Sequence, residues 1–176
     1  MFIGHLPAGY LINCTLVKRL PLIARHARRV MVIGLVGAVV PDFDLFWCYL
    51  IDSGQRHHHL YPSHWPLLWF TLLAATLFWA GVAKNKLPPW LGVTFCLNGI
   101  VHLLLDTLVG DIWWLMPFVN KPFALFHITA VHQPWWLNFL LHWSFLLELI
   151  LVTAAIAVWC KRNVKMMIVK RVKKLF

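Results

Sequence analysis

The chain has 176 residues, of which 61% are hydrophobic and only 12% are charged, and its formal net charge is +10. A soluble domain carries roughly 25% charged residues and less than half apolar ones, so this composition excludes an ordinary cytosolic globule and a disordered chain. The eleven Trp and twelve Phe residues are typical of a protein with aromatic side chains at membrane–water interfaces. We therefore expect an all-α, polytopic membrane protein.

Five apolar segments approach or reach the length of about 20 residues that a spanning helix needs. They are, in chain order, 2–17, 30–51, 65–83, 87–105 and 135–160. Pro41 interrupts the second segment, whereas Pro88-Pro89 opens the helix of the fourth, because proline suits the first helical turn. The first segment is short, so we expect a helical bundle of four spans, or of five if 2–17 crosses the membrane.

The basic residues orient these spans. Fourteen of the sixteen Lys and Arg residues lie in 18–29, in the loop 84–86 and beyond residue 160. The positive-inside rule places these segments on the cytoplasmic side, which leaves the loops 52–64 and 109–134 outside. We therefore expect a multi-pass protein of the bacterial inner membrane with a cytoplasmic C-terminus.

The C-terminal segment differs from the rest of the chain. Residues 1–160 are predicted to form one helical membrane domain, and 161–176 a basic cytoplasmic tail. The tail, KRNVKMMIVKRVKKLF, alternates basic and apolar residues. This pattern is typical of a juxtamembrane helix on anionic lipid, and we expect no nucleic-acid partner.

Polar residues within the apolar segments fall at one depth. Charged groups at membrane depth are costly and mark functional sites. Four residues lie about 20 to 24 Å from the basic residue at the cytoplasmic end of their segment, at ~1.5 Å per helical residue: His5, Asp42, His102 and Glu148. We therefore expect them near the outer loop 52–64, in the outer half of the bilayer.

Three local patterns there favour a metal site. His102 and Asp106 are four residues apart, on one face of a helix, as in many helical metal sites. Asp42 and Asp44 follow a helix-breaking proline, so both carboxylates can turn to one side, although a turn or helix cap would also explain them. The tract 57–64 contains four histidines, which is typical of metal binding or of a solvated loop.

The residue types restrict the metal and its chemistry. Imidazole and carboxylate ligands suit zinc, manganese or iron. The sequence contains no Cys-x-x-Cys pair, so we do not expect a thiolate metal site. A bound divalent ion lowers the pKa of its water to near 7, which suits hydrolysis. Glu148 is either a further ligand or a buried partner of one.

Six short motifs occur in order within residues 1–118. They are Gly4-His5-Leu6, Val40-Pro41-Asp42-Phe43-Asp44, His59-x-x-x-Ser63-His64, His102-Leu-Leu-Leu-Asp106-Thr107, Gly110-Asp111 and Trp114-Leu-Met-Pro-Phe118. As an ordered set they resemble the YdjM-type family of inner-membrane proteins, which are predicted metal-dependent hydrolases and are also labelled LexA-binding. The resemblance implies an α-helical membrane protein with a hydrolase site. The LexA label implies a cytoplasmic contact, which disagrees with a site on the outer side, and we do not transfer it.

That family is in turn similar to zinc-dependent phospholipase C and to single-strand nucleases, which are all-helical. The similarity implies six metal ligands, namely His5, Asp42, His59, His64, His102 and Asp106. It also implies that Asp44 or Asp111 is a catalytic base or orients a ligand. The usual His-Arg-Gly-x-Thr-His loop is here His-Leu-Tyr-Pro-Ser-His, and the late His-x-x-x-Glu pair is missing. The number of metal ions, with zinc expected, therefore stays open.

The function that we predict is metal-dependent hydrolysis of a phosphoester in a lipid or lipid-linked substrate, which reaches the site from the membrane. Two other classes fit the same residues. A metal or proton transporter also uses intramembrane Asp and His, and in a structural protein these residues would only pair with each other. A transporter needs polar residues at several depths, whereas the cytoplasmic halves hold few, such as Asn13, Thr15 and Thr153.

Overall fold

The computed structural model describes residues 3–54, 57–134 and 136–172, with side chains as far as residue 164. Their regular structure is helical, which confirms the all-α prediction. The α-helices are α1 His5–Arg19, α2 Pro21–Ala24, α3 Ala27–Gly37, α4 Asp44–Leu50, α5 Pro66–Val82, α6 Leu87–Thr107, α7 Trp136–Leu140 and α8 Ser144–Val172. Short 3₁₀ turns lie at Val40–Phe43, His58–Leu60 and Pro62–His64. These residues form no β-strand, only an isolated bridge between Ile112 and Phe123.

Two helical stretches are long and apolar enough to cross a membrane, Leu87–Thr107 in α6 and Ser144–Val164 in α8. A third candidate is Ala27–Gly37 together with Val40–Leu50, which are bent by 48° at their junction. Helix α5 is apolar but has only 17 residues. The described residues thus contain two or three candidate spans, and the predicted count of four or five is not confirmed.

Prolines determine several helix boundaries. Pro41 lies in the 3₁₀ turn between α3 and α4, so the predicted interruption of segment 30–51 is present. Pro66 and Pro88 lie in the first turns of α5 and α6, where their missing N–H costs no helical hydrogen bond. Helix α8 continues to Val172, so residues 161–172 of the predicted tail extend the helix that precedes them. Residues 173–176 lie outside the described part.

Helix α6 is central, since it packs against α1, α3 and α5, while α8 packs against α1. Small residues allow the close approach of these helices. A Cβ atom on Gly37 of α3 would lie 2.3 Å from the carbonyl oxygen of Phe95 in α6. A Cβ atom on Gly99 would overlap the indole of Trp69, which packs with Leu103 in the core.

Gly37→Ala is expected to lower the stability of the protein in detergent by about 1–3 kcal/mol or more, because the added methyl meets backbone rather than a movable side chain. Gly81→Ala is a matched control, since a Cβ atom there has no neighbour within 4 Å. This control should be neutral or stabilising by up to about 1 kcal/mol. Thermal unfolding of both variants measures the difference, and equal midpoints would contradict the close contact of α3 with α6.

Candidate metal centre

Three imidazoles at one end of the bundle each have Nδ1 fixed by an acceptor. His102 Nδ1 lies 2.8 Å from the carbonyl oxygen of Ala38, and His59 Nδ1 lies 2.8 Å from that of Asp111. His64 Nδ1 lies 2.5 Å from Oδ2 of Asp44. A carbonyl or carboxylate oxygen can only accept, so each Nδ1 carries a proton and donates it. The lone pair of each neutral ring is therefore on Nε2, as in histidines that bind metals.

These Nε2 atoms face the same carboxylate oxygen. Oδ2 of Asp106 lies 3.0 Å from Nε2 of His102, 3.7 Å from that of His64 and 3.9 Å from that of His59. Oδ1 of Asp42 lies 3.5 Å from Nε2 of His102 and 3.9 Å from that of His64. Ligands bonded at about 2.1 Å to a tetrahedral ion are about 3.4 Å apart. The observed separations bracket this value.

Burial strengthens the case for a cation. His64, His102 and Asp106 are each at most 2% exposed. Nε2 of His64 and Nε2 of His102 are buried and make no hydrogen bond of adequate geometry within the described part of the chain. A buried polar atom without a partner is costly, whereas a bound cation would satisfy both nitrogens and the carboxylates. The donor set of Asp42, His64, His102 and Asp106, within 4.8 Å of one another, fits a divalent ion such as zinc.

His5 joins the cluster from the start of α1. Its Nε2 lies 3.2 Å from Oδ1 of Asp106, and its ring stacks on that of His102 with centroids 3.7 Å apart. The structure thus brings together all six residues that the family resemblance implied as ligands. His5, Asp42 and His102 thus lie close to one another, and their depth in a membrane remains a prediction. Their role as ligands remains a prediction.

Asp44 and Asp111 each accept a hydrogen bond from a histidine of the site, Asp44 through its side chain and Asp111 through its backbone. The Asp44 carboxylate accepts from Ser63 Oγ at 2.7 Å as well as from His64 Nδ1, and its Oδ1 lies 3.4 Å from Nδ1 of His58. This geometry supports the predicted orienting role. Asp111 orients His59 through its backbone carbonyl, and the residue also lines the cleft above the cluster. His58, His59 and His64 form a second group that could hold an ion.

Two histidines of the loop before α5 have opposite pKa shifts. Burial lowers the pKa of His59 to about 2, because the charged ring would lose its hydration. Burial also opposes the charged form of His64, but the carboxylates of Asp106 and Asp44 outweigh it and raise the pKa of His64. His59 therefore offers a lone pair at neutral pH. A cation at this site would compete with a proton for Nε2 of His64, so cation binding would weaken as the pH falls.

A cleft of about 640 Å³ leads to the cluster. Asp42, His59 and Asp106 form part of its lining, and so do His57, His58 and His127. The remaining lining includes apolar side chains from α4, from α7 and from the loops between α6 and α7, namely Leu45, Tyr49, Val109, Ile128 and Phe139. The site is thus open to a ligand from one side.

A family model described as YdjM inner membrane protein matches residues 1–169. The chain belongs to the YdjM inner membrane protein family. The match confirms the resemblance that the motifs indicated and extends it beyond residue 118. No curated protein and no solved structure is similar enough to this chain to count as a match. Membership of this family establishes an inner-membrane protein and names no reaction.

In this member of the YdjM family, Glu148 of α8 caps the start of α1. Its Oε2 accepts from the backbone N–H groups of Ile3 at 2.6 Å and of Gly4 at 3.0 Å. It is 3% exposed, and the two bonds fix the turn that carries His5. Both contacts are to the backbone of the turn that precedes His5, and whether Glu148 is itself a ligand or a partner of one remains a prediction.

Glu148→Ala is expected to destabilise the protein by about 1.5–3 kcal/mol, because the buried N–H group of Gly4 and the part-buried one of Ile3 lose a charged acceptor. Glu148→Gln keeps one acceptor oxygen and should have an intermediate effect. Leu146→Ala is the control, since Leu146 is 61% exposed on the same helix. Thermal unfolding in detergent tests the order, and an unchanged midpoint for Glu148→Ala would contradict the cap.

Several features of the site lie outside the reach of sequence patterns. The carbonyls of Ala38 and Asp111 orient two imidazoles. Every residue has a backbone carbonyl, so the sequence does not indicate which ones accept these hydrogen bonds. Asn98 was also missed. It is buried one turn below His102 in α6, and its Nδ2 donates to Oδ1 of Asn13 at 2.9 Å. The spacing of Asn98, His102 and Asp106 at every fourth residue was a usable signal for one polar face.

Proposed function

We propose that this chain is a membrane-embedded, metal-dependent hydrolase, a phosphoesterase that acts on a lipid or lipid-linked substrate. The observation that carries the proposal is the convergence of three oriented imidazole Nε2 atoms on two carboxylates at the base of an open cleft. A divalent ion there, with zinc the best fit, would lower the pKa of a coordinated water and stabilise charge on a phosphoryl oxygen. Asp42, His59, His64, His102 and Asp106 would hold it, with His5 beside them.

The remaining residues of the cleft supply positioning and proton transfer. Asp44 holds His64 in the orientation that presents Nε2. Asp111 lines the cleft, and its carbonyl oxygen accepts from His59, so its carboxylate is the candidate for the base that activates the attacking water. His5 begins α1 and Asp106 lies near the end of α6, so the site is at the ends of these helices opposite Lys18 and Lys86, which supports a site on the outer side. Four or five spans, and a basic tail on anionic lipid in the cytoplasm, are part of the proposal.

The proposal is tested with detergent-purified protein, loaded with zinc, manganese or iron, against soluble phosphoesters and phospholipids. We expect hydrolysis of a lipid phosphoester that stops on chelation and returns when the ion is added back. The matched control is His102→Ala/Asp106→Ala, which should show neither bound metal nor activity. Absence of activity on every phosphoester with the metal bound would overturn the assignment as a phosphoesterase.

Transport is the second candidate, and the buried Asn13–Asn98 pair below the cluster favours it. Thr94, Asn98, His102 and Asp106 form a polar face that extends into the bundle. Packing opposes a pathway there, because a Cβ on Gly9 would meet Asn98 Oδ1 at 2.8 Å and one on Gly34 would overlap Asn13. Uptake of zinc or protons by proteoliposomes, lost in Asn98→Leu, would favour transport over hydrolysis.

A further inference from the structure

We propose that a phosphate-bearing lipid enters the cleft sideways from the bilayer, between α4 and the side chains of Ile128 and Phe139, with its acyl chain against Leu45 and Tyr49. This inference rests on the proposed function. It adds the route of the substrate and the residues that hold its chain, neither of which follows from the metal cluster.

The cleft is polar at its base and apolar along its walls. Leu45 and Tyr49 are one helical turn apart, so both side chains lie on the same face of α4, and both line the cleft. Ile128 and Phe139 line it as well. A small polar substrate would gain nothing from such walls. An amphiphile places its phosphate near the cluster and its chain along the apolar side chains.

The other side chains of α4 connect this wall with the membrane. Phe46 is 66% exposed and Leu50 is 79% exposed, and such apolar exposure marks a surface that contacts lipid or another apolar partner. Helix α4 continues a candidate span after a 48° bend. One helix therefore forms a wall of the cleft and also faces the bilayer. Tyr49 itself is 68% exposed and lies where the two surfaces join.

The size of the cleft agrees with partial entry. A volume of about 640 Å³ lies within the range of roughly 300–1,000 Å³ for drug-sized ligands. A phospholipid with two long chains is larger than such a ligand, so its chains must extend beyond the cleft. Beyond the cleft, the ends of the chains lie among the lipids of the surrounding bilayer. His57, His58 and His127 line the same cleft and can donate hydrogen bonds to phosphate oxygens.

Photocrosslinking tests the lipid position without any need for turnover. A benzophenone side chain replaces Tyr49, or Leu50 as the control on the outward face, in metal-loaded protein in phosphatidylcholine nanodiscs. The probe is a trace of a non-hydrolysable phosphonate analogue of phosphatidic acid. We expect position 49 to capture the analogue at least about tenfold above its share of the bilayer, and position 50 to capture lipids in proportion. Proportional capture at both positions would overturn the inference.

Enzyme kinetics of two double variants provide a second, independent test of the lipid position. Leu45→Gln/Tyr49→Gln should raise the KM for a dioleoyl lipid phosphate by about tenfold or more relative to the KM for p-nitrophenyl phosphate. The matched control, Phe46→Gln/Leu50→Gln, alters only the outward face and should leave both substrates unchanged. Equal effects of the two double variants would overturn the inference. If metal-loaded wild-type protein cleaves no phosphoester, the proposed phosphoesterase function fails, while the crosslinking result still decides whether a lipid occupies the cleft.

Discussion

Asp106→Asn is expected to prevent binding of the proposed metal ion and to abolish the proposed hydrolysis while the helical bundle stays folded. The Asp106 carboxylate is shared by more imidazoles than any other group described at the site, since its two oxygens lie 3.0–3.9 Å from Nε2 atoms of His5, His59, His64 and His102. Asn has the same shape but no charge, so packing of α6 around Leu103 is retained. Loss of outer-shell partners alone costs about 10- to 100-fold in affinity, and loss of a central ligand should exceed that range.

Elemental mass spectrometry of protein purified without chelator measures the expected loss as metal ions per chain. Asp52→Asn is the control, because the Asp52 carboxylate accepts from the Tyr61 hydroxyl and Asp52 is not part of the cleft lining. Thermal unfolding shows whether each variant is folded. A folded Asp106→Asn variant with the metal content and activity of the wild type would contradict the role of Asp106 as a ligand, and a wild-type protein without metal would indicate a structural network of His and Asp.

Hydropathy and proline positions predicted the helices well, for identifiable reasons. The predicted segments 65–83 and 87–105 correspond to the observed helices Pro66–Val82 and Leu87–Thr107. In a membrane, a long uncharged run can satisfy its backbone N–H and C=O groups only by forming a helix or a closed barrel. Segment 135–160 was less predictable. It divides into α7 and α8, with α8 beginning at Ser144, and apolar composition alone does not indicate where a helix is interrupted.

The candidate site was predictable to the extent that it depends on spacing and depth. The pair His102 and Asp106 follows from helical periodicity, and the approach of His5 and Asp42 follows from equal distances to basic residues along their helices. Nothing in the sequence gives the rotation of one helix against another. The contact of Ala38 with His102 depends on the close approach of α3 and α6 at Gly37. The direction of α4 after the bend, and hence the apolar wall of the cleft, depends on tertiary packing in the same way.

Asp44→Asn is expected to weaken metal binding by about 10- to 100-fold without abolishing it, because Asp44 acts on the ion only through His64. An amide can present its NH₂ group to Nδ1, which places the imidazole proton on Nε2 and blocks the ligand lone pair. Ser63→Ala is the matched variant, since it removes the other hydrogen bond to the same carboxylate. It should have a smaller effect. Titration against a chromophoric chelator measures both affinities.

Activity at saturating metal then separates the two roles that the sequence left open for Asp44. If Asp44 only orients His64, excess metal should restore most of the turnover of Asp44→Asn, because the occupied site is the same. A catalytic base would behave differently, since binding would recover while turnover stayed low. The contacts of Asp44 with Ser63 and His64 favour recovery, and they leave the base to Asp111 in the cleft. An affinity for metal that is unchanged in Asp44→Asn would contradict the orienting role.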